Sequence, residues 1–181
     1  HLDVATSLSS LGIWNSNSGN FEKAEQLHLQ ALEIRKKAYG ENHLDVALSL
    51  NNLGICYWRE GEYEKAELFY NQALEIQQKV AGPNHPNVAA TLQNLGSLYY
   101  EKGNLGKAEF YYLGALEIEK KAGREDHPEV ASLLNNIGVL YFDMGNFAEA
   151  EARYLKALEI KKRALGEIHP EVAQSLNSLG I

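Results

Sequence analysis

The chain has 181 residues, a formal net charge of −7 and a single cysteine, Cys56. The charge argues against a nucleic-acid partner, which needs a Lys/Arg stripe to meet the phosphates. One cysteine excludes an internal disulfide, and no apolar run approaches the roughly 20 residues of a membrane span. Apolar residues make up 45% of the chain and recur at helical spacing, which is the pattern of a folded protein rather than a disordered one.

The chain repeats itself. Asn51-Asn52-Leu53-Gly54-Ile55-Cys56-Tyr57 returns, edited, at Gln93–Tyr99 and Asn135–Tyr141, with a degenerate copy at Ser9–Asn15 and a truncated one at Asn177–Ile181. The step is 42 residues each time. A fixed period of roughly 20–50 residues marks a stack of identical supersecondary units, in which each unit contacts only its neighbours. The organisation read from it is one array: residues 1–42, 43–84, 85–126, 127–168, and a partial unit at 169–181.

The first unit opens with a helix from His1, here called A, whose Leu8, Leu11 and Trp14 form an expected buried stripe. Gly19 ends it. A second helix, B, runs from about Asn20 to Ala38, with Phe21, Ala24, Leu27, Ala31 and Ile34 on its buried side. Asn15 stands where later units have tyrosine, and Ser16-Asn17-Ser18 makes a polar, weakly helical ending. The second unit is the most regular: Leu50, Leu53 and Tyr57 on A, a stop at Gly61, then Tyr63, Ala66, Tyr70, Ala73 and Ile76 on B.

The third and fourth units open with His85-Pro86 and His127-Pro128, and proline suits the first helical turn, where its missing N–H has no acceptor to serve. Gly123 comes one residue earlier than the frame requires, so a local register shift is expected there. Residues 169–181 supply only a fifth helix A, whose Leu176, Leu179 and Ile181 would cover the fourth unit. The chain starts without Met and stops in mid-unit, which reads as a segment of a longer array.

Small residues recur at fixed positions: Gly12, Gly54, Gly96, Gly138 and Gly180 on helix A, and Ala24, Ala66, Ala108 and Ala150, with Ala31, Ala73, Ala115 and Ala157, on helix B. They let helix axes approach at the short end of roughly 8–10 Å. Tyr70, Tyr112 and Tyr154 on B fill the space between, with His28 as the exception. His1, His43, His85, His127 and His169 share the period, but stacked units hold them roughly 10 Å apart, too far to share a zinc ion with ligands about 2 Å from it. Helix capping is their expected role. Cys56 has no histidine near it in sequence, and no phosphate loop or nucleophile motif is present. No cofactor and no catalytic residue is expected.

The Leu-Gly pair and following tyrosine of helix A, and the Ala, aromatic and Ala of helix B, resemble the tetratricopeptide repeat. The extended 42-residue unit, with His-Pro-x-Val-Ala, Leu-Asn-Asn-Leu and Ala-Leu-Glu-Ile, is similar to the repeats of kinesin light chains, nephrocystin-like proteins and the sensor ends of many regulators. The resemblance implies an all-α fold, a right-handed α-solenoid of antiparallel helix pairs, with the A helices lining a concave groove. It places Leu48, Asn51, Ile55, Trp58 and Arg59 in that groove, then Gln93, Ser97 and Tyr100, then Asn135, Val139 and Phe142, and finally Asn177.

Two rows carry the expected binding chemistry. Asn51, Gln93, Asn135 and Asn177 form a ladder of amides able to pair with the backbone of an extended peptide. Trp58, Tyr100 and Phe142 form a row of rigid aromatic anchors. The second asparagines, Asn52, Asn94 and Asn136, belong to the structural consensus. Kinesin light chains favour acidic peptides and tend to carry Arg at the start of helix B's final basic stretch. Arg35 keeps it, but Gln77, Glu119 and Lys161 depart, and Glu101 and Asp143 lie near the groove. The expected ligand is therefore a protein segment that is not strongly acidic, bound by a non-catalytic scaffold in a reducing, cytoplasmic compartment, with no membrane or nucleic-acid partner. The alternatives are an architectural module that associates end to end, or the regulatory arm of a larger signalling protein.

Overall fold

Eight helices follow one another in a computed structural model that describes residues 2–167, His169 and Val172. They are α1 (Leu2–Asn17), α2 (Phe21–Tyr39), α3 (Leu44–Glu60), α4 (Tyr63–Ala81), α5 (Pro86–Glu101), α6 (Leu105–Lys121), α7 (Pro128–Asp143) and α8 (Phe147–Leu165). There is no strand among the described residues, and the fold is an all-α solenoid. Odd-numbered helices correspond to A and even-numbered ones to B. The expected fifth helix A lies outside the described residues, apart from His169 and Val172.

Local signals set the helix ends. His43, His85 and His127 precede α3, α5 and α7 in extended backbone, and each Nδ1 accepts from the backbone N–H two residues on, at 3.1, 3.2 and 3.3 Å. The periodic histidines at these three positions are caps that occupy an otherwise orphan donor of the first turn. Gly61 closes α3 in the left-handed conformation, at φ 87°, with its N–H returned to the last turn. The early Gly123 shortens α6 to 17 residues against 19 in α2, α4 and α8. It also brings Arg124 back over that helix, where Nε reaches Glu119 at 2.9 Å.

Each A–B pair closes through one contact. A Cβ added to Gly54 would lie 2.5 Å from two ring carbons of Tyr70, and additions at Gly96 and Gly138 would overlap Tyr112 and Tyr154 equally. The ring therefore lies flat on the helix backbone, in the space that only glycine leaves. Around it Ala24, Ala31, Ala66, Ala73, Ala108, Ala115 and Ala157 are fully buried. Successive pairs are joined by a second device. The Tyr57 hydroxyl donates to Glu25, and the Tyr99 hydroxyl donates to Glu67, each reaching back to the preceding helix B. Burial and the Glu67 carboxylate push the Tyr99 phenol up to about 12, so the hydroxyl keeps its proton and remains the donor.

The first helix departs from expectation. Leu11 and Trp14 are 52% and 62% exposed, and Leu8 is only half-buried. The side chains α1 buries are Ala5, Ser9, Gly12, Asn15 and Ser16. The cause is positional. In later units the matching residues, Leu53 and Cys56, Leu95 and Leu98, Ile137 and Leu140, are buried between their own pair and the preceding helix B. Residues 2–17 have no such helix before them in the structure. Asn15 replaces the tyrosine that would reach back to a preceding carboxylate, and its amide donates to the Leu11 carbonyl at 2.7 Å instead.

His28 takes the tyrosine position of the first pair, with its ring against Gly12. Burial, aided by the positive charge of Arg35, lowers its pKa from 6.5 to about 4, so the ring is neutral. The folded value lies below the unfolded one, so the unfolded chain takes up the proton first. Stability is complete above pH about 6.5 and declines as pH falls toward 4, by up to about 1.4 kcal/mol for each pH unit. Thermal melts across that range should show this slope, and His28→Tyr should remove this contribution to it. Gly54→Ala should cost about 1–3 kcal/mol by overpacking against Tyr70. Gly114→Ala should stabilise by about 0.5–1 kcal/mol, because the added Cβ meets only the Leu92 side chain, at 3.6 Å, and the helix loses a flexible residue. Denaturant midpoints of the two variants should move in opposite directions.

Candidate functional site: a groove along the odd-numbered helices

Among the described residues, the backbones of α1 and α3, of α3 and α5 and of α5 and α7 approach one another closely, whereas those of successive even-numbered helices do not. The stack is tighter on the A side, which puts the A helices on the inner curve. Three depressions open along that face, each between neighbouring A helices, and they collect most of the residues expected to line a groove.

One is a cleft of about 200 Å³ with Trp58 from α3, Ser97, Tyr100 and Glu101 from α5, and Asn136 and Val139 from α7. Tyr112 of α6 closes it from behind, with its hydroxyl 3.0 Å from that of Ser97. Tyr100 donates to the Asp143 carboxylate, a bond that, with burial, pushes the phenol up to about 12. The Trp58 indole Nε1 is buried and has no acceptor among the described residues. The aromatic row is thus two residues rather than three. Phe142 is 56% exposed and packs edge to face on Phe147 at 5.3 Å, away from the cleft lining.

The second depression, about 220 Å³, lies between α3 and α5 and includes Leu48, Asn51, Gln77 and Thr91. Asn94 donates to the Asn51 carbonyl oxygen at 3.2 Å, and Thr91 donates to that of Gln77 at 2.9 Å. The carbonyl ends of both amides are engaged within the protein. Asn51 is therefore held in place through its carbonyl oxygen. Gln93 and Asn135 are half-buried, and their side chains form no hydrogen bond among the described residues. Asn177 lies outside the described residues.

Arg35, Gln77 and Glu119, read from sequence as partner-selecting positions, are buried connectors between units. One guanidinium nitrogen of Arg35 donates to Ser9 and to Ser49, at 3.1 and 2.6 Å, tying α1 to α3. Gln77 does the same for α5 through Thr91, and Glu119 is held by Arg124.

The third depression, about 120 Å³, lies between α1 and α3. It brings Ile55 and Arg59 together with Ile13, Ser16, Asn17, Asn52, Cys56 and His28. Sequence reasoning missed the meeting of His28 and Cys56, which stand 28 residues apart and share no motif; the only signal was the loss of tyrosine at position 28. Burial pushes the Cys56 thiol up and the imidazole down. That is the reverse of the thiolate–imidazolium pair of a nucleophilic cysteine. No group of metal-ligating side chains forms a candidate ion site among the described residues, and no described helix is long and apolar enough to cross a membrane.

Comparison with known proteins agrees with this architecture. Tetratricopeptide repeat models match residues 3–79, 69–121 and 130–171. The crystal structure of BtubC (BKLC) from P. vanneervenii superposes with a TM-score of 0.77 at 29% identity, over 94% of this chain and 68% of that one. Two crystal structures of a Podosopora anserina putative kinesin light chain with nearly identical TPR-like repeats, one of them a point variant, superpose with a TM-score of 0.75 at 22% identity. They cover 99% of this chain and 88% and 89% of theirs. No curated protein sequence matches. The chain belongs to the tetratricopeptide repeat family, whose members are generally non-catalytic scaffolds for protein interaction.

Proposed function

We propose that this protein captures an extended segment of a partner protein along its A-helix face, as a non-catalytic adaptor of the kinesin-light-chain-like kind. The observation that carries the reading is the cleft of Trp58, Tyr100 and Val139. It offers rigid aromatic walls for an apolar side chain, beside side-chain amides that can pair with a backbone. Main-chain pairing supplies affinity whatever the sequence, and the anchor supplies the choice of partner. Glu101 in the cleft and Asp143 beside Tyr100 disfavour an acidic anchor, so the segment is neutral or mixed in charge. The buried free thiol of Cys56 suits a cytoplasmic setting.

A proteome-derived peptide display selection tests this. A shared motif with one apolar anchor should emerge, and Trp58→Ala should weaken its binding at least tenfold. Asn135→Ala should weaken it several-fold while leaving the melt within about 0.5 kcal/mol, since this amide forms no internal hydrogen bond to lose. Enrichment that survives both changes would contradict the reading.

A second reading, end-to-end association of two copies, is favoured by one observation: Val4, Leu11 and Trp14 expose an apolar face on α1. It predicts a hydrodynamic size that rises with concentration and reverts to the monomer with Leu11→Asp. A size indifferent to both removes it.

A further inference from the structure

The rim of the groove changes sign along the stack. One position of the 42-residue step, at the C-terminal ends of the A helices, holds Asn17, Arg59, Glu101 and Asp143. Arg59 lies at the depression between α1 and α3, and Glu101 lines the aromatic cleft with Trp58, Tyr100 and Val139. Glu101 is the one charged residue of that cleft lining.

The two acids stand against the field of their own helices. Glu101 is the last residue of α5 and Asp143 the last of α7, and neither helix has a basic residue in its last turn. A helix C-terminus carries a partial negative charge, which favours cations and disfavours carboxylates. Both side chains are exposed, and neither forms an ion pair among the described residues. The neighbouring cation is committed elsewhere: Lys102 Nζ reaches Glu64 and Glu67 of α4, at 3.2 and 3.3 Å. Tyr100 links the two acids. It precedes Glu101 in the chain, and its hydroxyl donates to Oδ2 of Asp143.

An aromatic face beside two carboxylates and two helix C-termini, without a counter-charge, is complementary to a cation. Lysine and arginine carry that charge on an apolar stem, which can lie along the walls of the cleft. An acidic side chain is repelled there, and an apolar one would strip water from Glu101 and return nothing.

We propose that the rim of the aromatic cleft, at Tyr100, Glu101 and Asp143, is a subsite for a lysine or arginine side chain of the bound segment. The inference rests on the groove reading above and adds charge and register to it. Alternate residues of an extended chain share a face and rise about 3.3 Å each. Glu101 belongs to the same cleft as the apolar anchor, so the basic residue lies within about two residues of that anchor. The sign change at Arg59 confines the preference to the α5–α7 end of the groove.

The test is selection of a randomised dodecapeptide library on the wild-type protein and on a double variant, Glu101→Lys with Asp143→Asn, which keeps an acceptor for the Tyr100 hydroxyl. Both positions are exposed, and removing an acid from a helix C-terminus does not harm the helix. The wild type should enrich an apolar anchor with Lys or Arg at one fixed spacing. The variant should keep the anchor, lose the basic residue or exchange it for an acidic one, and bind the wild-type-selected peptide about five- to tenfold more weakly. That gap should narrow between about 50 mM and about 500 mM salt, as screening shortens the reach of exposed charges. An anchor with no fixed basic residue, or with a basic preference that persists in the variant, overturns the subsite while leaving the groove standing. Basic residues scattered at no fixed spacing report only the net charge of −7 and overturn it equally. Enrichment of no anchor at all overturns both.

Discussion

The architecture depends on an aromatic ring lying against the bare backbone of a glycine. Gly54, Gly96 and Gly138 have no Cβ, and Tyr70, Tyr112 and Tyr154 occupy the space that such an atom would need. The flanking alanines of the B helices are small for the same reason: a larger side chain would separate the axes and lift the ring off its seat. Because the contact is made within each pair, every pair presents a similar outer shape to the next, and stacking can proceed with a constant step. The tyrosine–glutamate bonds between units then fix the rotation of one pair on another.

Curvature follows from the same asymmetry. Among the described residues, the backbones of successive A helices approach closely along the inner side and those of successive B helices stay apart along the outer one. The residues between A helices therefore lie at the bottom of shallow clefts, half-buried and already ordered by their neighbours. Side chains fixed before a ligand arrives lose little rotamer freedom on binding. Asn51 illustrates this, since its carbonyl is anchored by Asn94. The buried series Arg35, Gln77 and Glu119 shows the other side of the design: those groups join adjacent units, so their changes of charge alter the joints beneath the groove as well as its field.

Much of this was legible in the sequence. The 42-residue step identifies the stack, the glycine and alanine positions identify the helix contacts, and the histidines before α3, α5 and α7 identify caps, because each depends only on local chemistry repeated at a fixed interval. What escaped depends on neighbours that periodicity averages away. Leu11 and Trp14 follow the apolar pattern of their counterparts but have no preceding helix to cover them. Phe142 follows the aromatic row but turns toward Phe147. His28 reads as a packed core residue, and it is one; that it lines a pocket with Cys56 depends on how α1 and α2 pack against α3.

The central claim is that the inner face, at Trp58, is where a partner binds. The chain contains two tryptophans, Trp14 and Trp58, and Trp14 is largely exposed on α1. In a Trp14→Phe variant, Trp58 becomes the sole tryptophan reporter of its own cleft. Titration with a selected peptide, followed by tryptophan emission, should give a saturable blue shift as the indole loses water, with a midpoint equal to the independently measured Kd. Binding at full affinity with no change in Trp58 emission would place the partner elsewhere on the molecule and contradict the account.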